Sequence, residues 1–161
     1  AAMATAGQIA SFQMGLSLAQ IFDPNQRVQS ALVGGFLSLL GVTIIFATDL
    51  HHSLVAAVLG SYGAFAPGAA LDSGSLAESM IAATSGGFAL GVRLAAPFIV
   101  FGFVFYAGAG VLNRLMPQAQ AFFTLMPANV ILGLALLMLT TSAIAGAFLE
   151  GFADHLAKMA P

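Results

Sequence analysis

Charge is almost missing from this chain. Four Lys or Arg and six Asp or Glu are all it has in 161 residues, against 60% hydrophobic residues. About a quarter of an average soluble domain is charged. A folded globule of this size leaves much of its surface in water and needs a polar shell. So few charges cannot supply one, which argues against a soluble enzyme. Four basic residues also leave no footprint for nucleic acid. Cysteine is absent, so there is no disulfide framework, thiolate nucleophile or cysteine metal site. Tryptophan is absent too, and an interfacial aromatic belt would fall to Tyr62 and Tyr106. The composition is the opposite of a disordered chain's. An integral membrane protein is what remains.

The uncharged runs give the map. Residues 1–22 carry no charge, Asp23 and Arg27 interrupt, and 28–48 is clean. Asp49 closes that run, and Arg93 and Arg114 bracket 94–113. Residues 115–149 form the longest run. At about 1.5 Å per residue, 28–48 reaches ~31 Å, close to the ~30 Å hydrocarbon core. The runs 94–113 and 129–149 qualify in the same way. Run 1–22 is weaker, being rich in Ala, Gly, Ser and Gln. It has no basic start, so it is not a secretory signal. With no initial Met, the chain reads as part of something longer.

Breakers and caps set the elements. Asp23-Pro24-Asn25 is a turn signal. The pattern predicts helices over 1–21, 29–47 and 52–64, with a turn at 48–51. Ser75 with Glu78 three residues on forms a capping box, opening a helix from 76 to about 115, with a possible kink at Pro97. Pro117 ends or bends it. A second long helix follows from about 119 to 158, disturbed at Pro127. No β alternation is present, so the fold class is all-α. Gly87 and Gly91 form a GxxxG, with Gly102, Gly108 and Gly110 further along, and small residues let membrane helices approach closely. Gly is also simply common in membrane helices.

Few residues offer chemistry. His51 and His52 beside Asp49 suggest a metal, but adjacent residues diverge on a helix and no third ligand pattern lies nearby. A polar turn near the interface is the plainer reading. Gly15-Leu16-Ser17 could suggest an intramembrane serine protease, but that chemistry needs a His base. A rhomboid-like Gly-x-Ser-Gly is broken by Leu18. Arg93 lies inside an apolar run, where a charge is expensive and functional by default. It could pair with Glu78 or with a partner chain, or snorkel. Arg114 marks a polar hairpin tip. Hydrogen bonds to carbonyls freed by Pro117 would hold it there, beside Asn113 and Gln118. Met14 could be core or part of an adaptable seal.

The stretch Ala6-Gly7-Gln8-Ile9-Ala10-Ser11-Phe12-Gln13-Met14-Gly15-Leu16-Ser17-Leu18-Ala19-Gln20-Ile21-Phe22-Asp23-Pro24 resembles the signature of the FliR family, a membrane component of the flagellar type III export gate. A second block is similar to the family's Asn-Arg, Pro-Gln, Phe and Pro at fixed intervals: Asn113-Arg114, Pro117-Gln118, Phe122 and Pro127. A weaker third match is Asp49-Leu50-His51-His52 followed by Ser61-Tyr62. The resemblance covers essentially the whole chain. Three departures stand out. Leu125-Met126-Pro127 replaces Gly-Phe-Pro, Asp49-Leu50-His51 replaces Asn-Gly-His, and Ser11 replaces a frequent Gly. The first leans toward the injectisome homologue of virulence secretion.

The resemblance implies a non-enzymatic subunit without cofactors, in the bacterial inner membrane at the flagellar basal body. It would assemble with FliP and FliQ type chains, with FlhB and FlhA type proteins around the entrance. Unfolded flagellar proteins would pass through. Residues 1–74 would be FliP-like helices holding a plug loop at about 14–30, with Met14, Gly15, Leu16, Ser17, Leu18, Ile21, Phe22, Asp23 and Pro24 as its gate residues. Residues 75–161 would be a long kinked hairpin resembling FliQ, with its tip near 112–118. The family's N-terminal third would be missing. From the residues alone, 14–30 is an ordinary interhelical loop; the resemblance favours the gate. A polytopic transporter or intramembrane enzyme stays as the other class, though the paired broken helices of transporters are not found.

One expectation follows for the isolated chain. Its apolar surface and small-residue faces need partner helices. Size-exclusion chromatography in detergent should show aggregates or mixed oligomers rather than one compact, cooperatively unfolding monomer.

Overall fold

The computed structural model describes residues 1–16, 31–64, 73–115 and 121–159. Among them are helices α1 (Ala2–Gln13), α2 (Ala31–Ala47), α3 (Leu50–Ala64), α4 (Ser73–Leu115) and α5 (Ala121–Met159), and no strand. The all-α expectation is met. The boundaries differ in three places, the third helix starting at Leu50 rather than at 52. The first helix stops at Gln13 rather than at 21, because Gly15 turns the chain with φ +75°. The fourth begins at Ser73, two residues before the expected cap at Ser75.

α4 and α5 form an antiparallel hairpin. Leu90 lies against Gly151 near one end, and Asn129 reaches Tyr106 near the other. At 43 and 39 residues they are ~64 and ~58 Å long, about twice the hydrocarbon core. Both contain a proline, Pro97 and Pro127, and each proline frees the carbonyl four residues earlier. Neither ends its helix. Both helices are long and apolar enough to cross a membrane. A third candidate is the pair α2–α3, bent by 84° at Thr48–Asp49. Asp49 takes φ 57° there, in the left-handed region that short polar side chains tolerate best.

α1, only ~18 Å long, is the centre of the packing. It lies chiefly on α4 and α2. Met3, Ala6, Ala10 and Met14 recur at helical spacing and are buried against Leu37, Leu94, Ala95, Phe98 and Leu137. Its other buried positions, Ala2, Gly7 and Ser11, are small, so backbones come close. A methyl on Gly7 would overlap the backbone of Gly34 on α2, and one on Gly91 would stand 3.0 Å from the Ala2 carbonyl oxygen. Gly87, the other half of the GxxxG, faces open space. Hydroxyls on these apolar helices bond inward: Ser11 donates to the Gly7 carbonyl at 2.8 Å, and Thr141 to Leu137 at 2.6 Å. This is how Ser and Thr satisfy themselves mid-helix.

The outer faces are as apolar as the core. Phe103, Val104, Val111, Met138 and Leu139 on the hairpin are exposed, and so are Val55, Val58 and Leu59 on α3. Such extended exposed apolar surface marks contact with lipid or other chains.

The Gly7–Gly34 crossing leaves no room for a side chain. Gly7→Val should destabilise the fold by about 1–3 kcal/mol, the usual range for overpacking. It should lower the thermal midpoint of the purified full-length protein in its complex. Gly35→Ala, on α2 next to Gly34 but with nothing within 4 Å, should leave the midpoint nearly unchanged.

Candidate functional site

The end of α1 is the most elaborated polar point in the described structure. Met14 keeps near-helical angles (φ −75°, ψ −4°) and its N–H donates to the Ala10 carbonyl. Gly15 follows with φ +75°, and its N–H donates to the Phe12 carbonyl at 3.1 Å. A left-handed glycine just past the last turn is the common helix stop, because it lacks the Cβ that would clash. Among the described residues, no backbone N–H is the partner of the Gln13 carbonyl.

That partner comes from α5. The Asn129 amide Nδ2 donates to the Gln13 carbonyl at 3.3 Å and to the Tyr106 hydroxyl of α4 at 3.4 Å. Asn129 is 2% exposed, and its other amide atom, Oδ1, is buried with no partner. An unsatisfied buried acceptor costs about 1–3 kcal/mol. The group is therefore held on one side by two long hydrogen bonds and unsatisfied on the other.

Glycines on both arms of the hairpin make the cradle. A methyl on Gly133 would overlap Met14 Cγ, and one on Gly102 would overlap the Gln13 side-chain oxygen. Gly133 lies one turn beyond Asn129, and Gly102 one turn before Tyr106, so each arm presents one small and one polar residue to the end of α1. Met14 is 0% exposed. Unbranched and polarisable, Met suits such an irregular gap.

Of the predicted gate residues, Met14 and Gly15 therefore sit at a buried base, with half-buried Leu16 beside them. Ser17, Leu18, Ile21, Phe22, Asp23 and Pro24 lie outside the described residues. Of the hairpin-tip set, Pro117 and Gln118 lie outside them as well, and Phe122 belongs to α5 without a described side chain. Pro127 is exposed within α5. Asn113 and Arg114 are exposed, and the expected anchoring of Arg114 with Pro117 and Gln118 falls on positions outside the described residues. Arg114 stands in the last turn of α4, where a cation favours the helix dipole. Arg93 is exposed too. Being on the same helix as Glu78, some 22 Å along its axis, it cannot pair with it.

The polar turn also departs from expectation. The His51 and His52 rings do not diverge; their centroids are 4.1 Å apart. With Asp49 they offer ligand atoms within 4.8 Å of one another. A tetrahedral zinc with ~2.0 Å bonds to nitrogen needs ligand separations nearer ~3.3 Å, and Asp49 and His52 are exposed. The geometry is that of a helix start: the His52 N–H donates to the Asp49 carbonyl at 3.1 Å, and the Asp49 carboxylate lies 3.9 Å from His52 Nδ1.

Sequence reasoning missed Asn129. The signal was present: it is an amide inside the long uncharged run 115–149, where an unbonded polar group is costly. Its partners, a main-chain carbonyl 116 residues away and a tyrosine 23 residues away, are invisible in the sequence.

A helical bundle with two very long apolar helices, each able to cross a membrane, defines the class as a helical membrane protein. The chain belongs to the bacterial export proteins, family 1, whose pattern it matches over residues 1–155. It is 42% identical over 154 residues to the flagellar biosynthetic protein FliR of Caulobacter vibrioides, covering 96% of this chain and 61% of that protein. It is 26% identical over 156 residues to FliR of Escherichia coli, covering 97% of this chain and 58% of that protein. To FliR of Bacillus subtilis it is 24% identical over 147 residues, 89% of this chain and 57% of that protein. The chain thus spans about three-fifths of the length of these relatives, and the FliR resemblance read from the motifs is the family found.

Gly15 makes the geometry testable. Gly15→Ala forces a Cβ into the left-handed region, at about 1–2 kcal/mol, and places it 3.1 Å from Asn129 Nδ2. The thermal midpoint of the complex of the full-length protein should fall accordingly. Gly86→Ala, in open space, should not lower it.

Proposed function

We propose that the full-length protein is a subunit of the flagellar protein export gate, contributing to the channel and closing it at rest with the loop that follows Met14. It acts as structure rather than as an enzyme, and uses no cofactor. Its partners are FliP and FliQ type subunits, with FlhB and FlhA type proteins at the entrance. Its cargo is unfolded flagellar protein, and its place is the inner membrane at the flagellar basal body. Residues 1–74 would be the FliP-like part and 75–161 the FliQ-like hairpin. The relatives' shared name favours the flagellar apparatus over the injectisome, despite Leu125-Met126.

The observation that carries the reading is the burial of Met14 and Gly15 at the point where α1 stops. A closure that seals by apolar contact needs a fixed root, and this one is gripped by both arms of the hairpin. Met14, Leu16, Leu18, Ile21 and Phe22 would make a deformable stopper that excludes water and ions without binding one substrate tightly. The exposed apolar faces of α3, α4 and α5 are the surfaces that partner subunits and lipid would cover.

Deleting residues 17–25 in the full-length protein distinguishes a gate from a connecting loop. Removal of a gate should leave the complex assembled, by copurification, but permeable to ions and small solutes in expressing cells. A complex that assembles and stays tight would show that this loop does not close the channel.

A further inference from the structure

We propose that in the full-length protein α1 continues upstream of Ala1 as an apolar helix, and that the segment directly preceding Ala1 fills the groove between α2, α4 and α5.

The first turn of α1 stands where a helix end is costly. Ala2 and Met3 are 8% and 4% exposed, and no side chain caps the helix at Ala1. The leading N–H groups of a helix have no carbonyl behind them within it, so a buried end must find partners elsewhere. Burying such a group unpaired costs free energy. One further turn upstream would supply carbonyls to all of them, because each N–H in a continuing helix bonds four residues back. The first bond of α1, from the Thr5 N–H to the Ala1 carbonyl at 3.0 Å, already has that form.

The groove runs on in the same direction. α1 is parallel to α4: Thr5 lies at Gly91 and Gln13 at Gly102. It is antiparallel to α2, with Met3 at Gly41 and Gly7 at Gly34, and to α5, where Met14 lies at Gly133 while Met3 and Phe148 both flank Gly41. Each of these walls extends past Ala1. Gly87 and Ala83 stand one and two turns before Gly91, Ile45 beyond Gly41, and Phe152 beyond Phe148, all lining one groove of about 520 Å³ that Ala1 also borders. Leu90 against Gly151 closes its floor. At ~30 Å³ per water the groove has room for about 17 waters, whereas packed protein leaves few voids larger than one. Gly87 has nothing within 4 Å, yet it continues the line of Gly102, Ala95 and Gly91 along which α4 receives α1.

An acyl chain or a helix of another subunit could lie against these apolar walls, but neither would present carbonyls in line with the axis of α1. A continuing helix does both, with small residues toward Gly87 and Ala83. The FliR relatives have about two-fifths of their length outside the matched stretch, ample for two further turns.

The tests use the full-length protein in its assembled complex. Phe152→p-benzoylphenylalanine places a photoreactive ring in the groove. After irradiation, mass spectrometry should find the new bond on residues directly upstream of Ala1. Bonds only to another subunit or to lipid would overturn the assignment. Continuity of the helix is read at Ala2. Proline is well tolerated as the first residue of a helix, but inside one it removes a hydrogen bond and clashes with the preceding turn. Valine has similar bulk without those effects. Ala2→Pro should therefore lower the thermal midpoint by about 6–12 °C more than Ala2→Val. Equal midpoints would show that α1 starts at Ala2 and would overturn the continuation. If neither variant assembles, the cross-link alone decides.

Discussion

A helix that ends inside apolar surroundings must find partners for its last carbonyls without water. Much of this structure depends on how α1 meets that requirement. Its last turn is closed by its own N–H groups to Ala10 and Phe12, and the Gln13 carbonyl is met by Asn129 from the far arm of the hairpin. Lipid-exposed irregular backbone does not occur at membrane depth, but backbone buried in protein can be satisfied by it. The short helix is therefore tolerable only because the two long ones enclose its end.

The enclosure determines where small residues stand. α1 brings Gly7 to Gly34, Gln13 to Gly102 and Met14 to Gly133. At each place a side chain would push helices apart. Other glycines, Gly86, Gly108 and Gly146 among them, face open space. There, outer helix faces present little beyond flat apolar surface, which suits assembly with further chains or lipid. The same residue type thus serves two ends of the packing, and the distinction depends entirely on what lies opposite.

The interior is correspondingly modest for so apolar a chain. Phe98, Met14 and Leu37 are the largest fully buried side chains, while most large hydrophobics of α3, α4 and α5 point outward. In water such a molecule would be unstable against association. Within a bilayer or an assembly the outward residues lose nothing, and what distinguishes the folded arrangement is close packing and the few polar contacts, as for membrane helices generally.

The scarcity of charge, the uncharged runs and the prolines were enough to read an all-α membrane protein with a long C-terminal hairpin, because hydropathy and helix length are local properties. Spaced polar residues such as Asn113-Arg114 and Pro117-Gln118 were enough for the family. The stop of α1 at Gln13 was not legible: residues up to Phe22 continue uncharged, and Gly15 alone does not announce a left-handed turn. Nor were the exposure of Arg114 and the converging His51 and His52 rings, which depend on where a helix starts and on what it faces. Asn129 makes the point most sharply. As a residue it was visible as one amide in an apolar run. What it does was decided only when folding brought α1, α4 and α5 to one point, since a hydrogen bond between groups 116 residues apart belongs to the tertiary structure and to no local pattern.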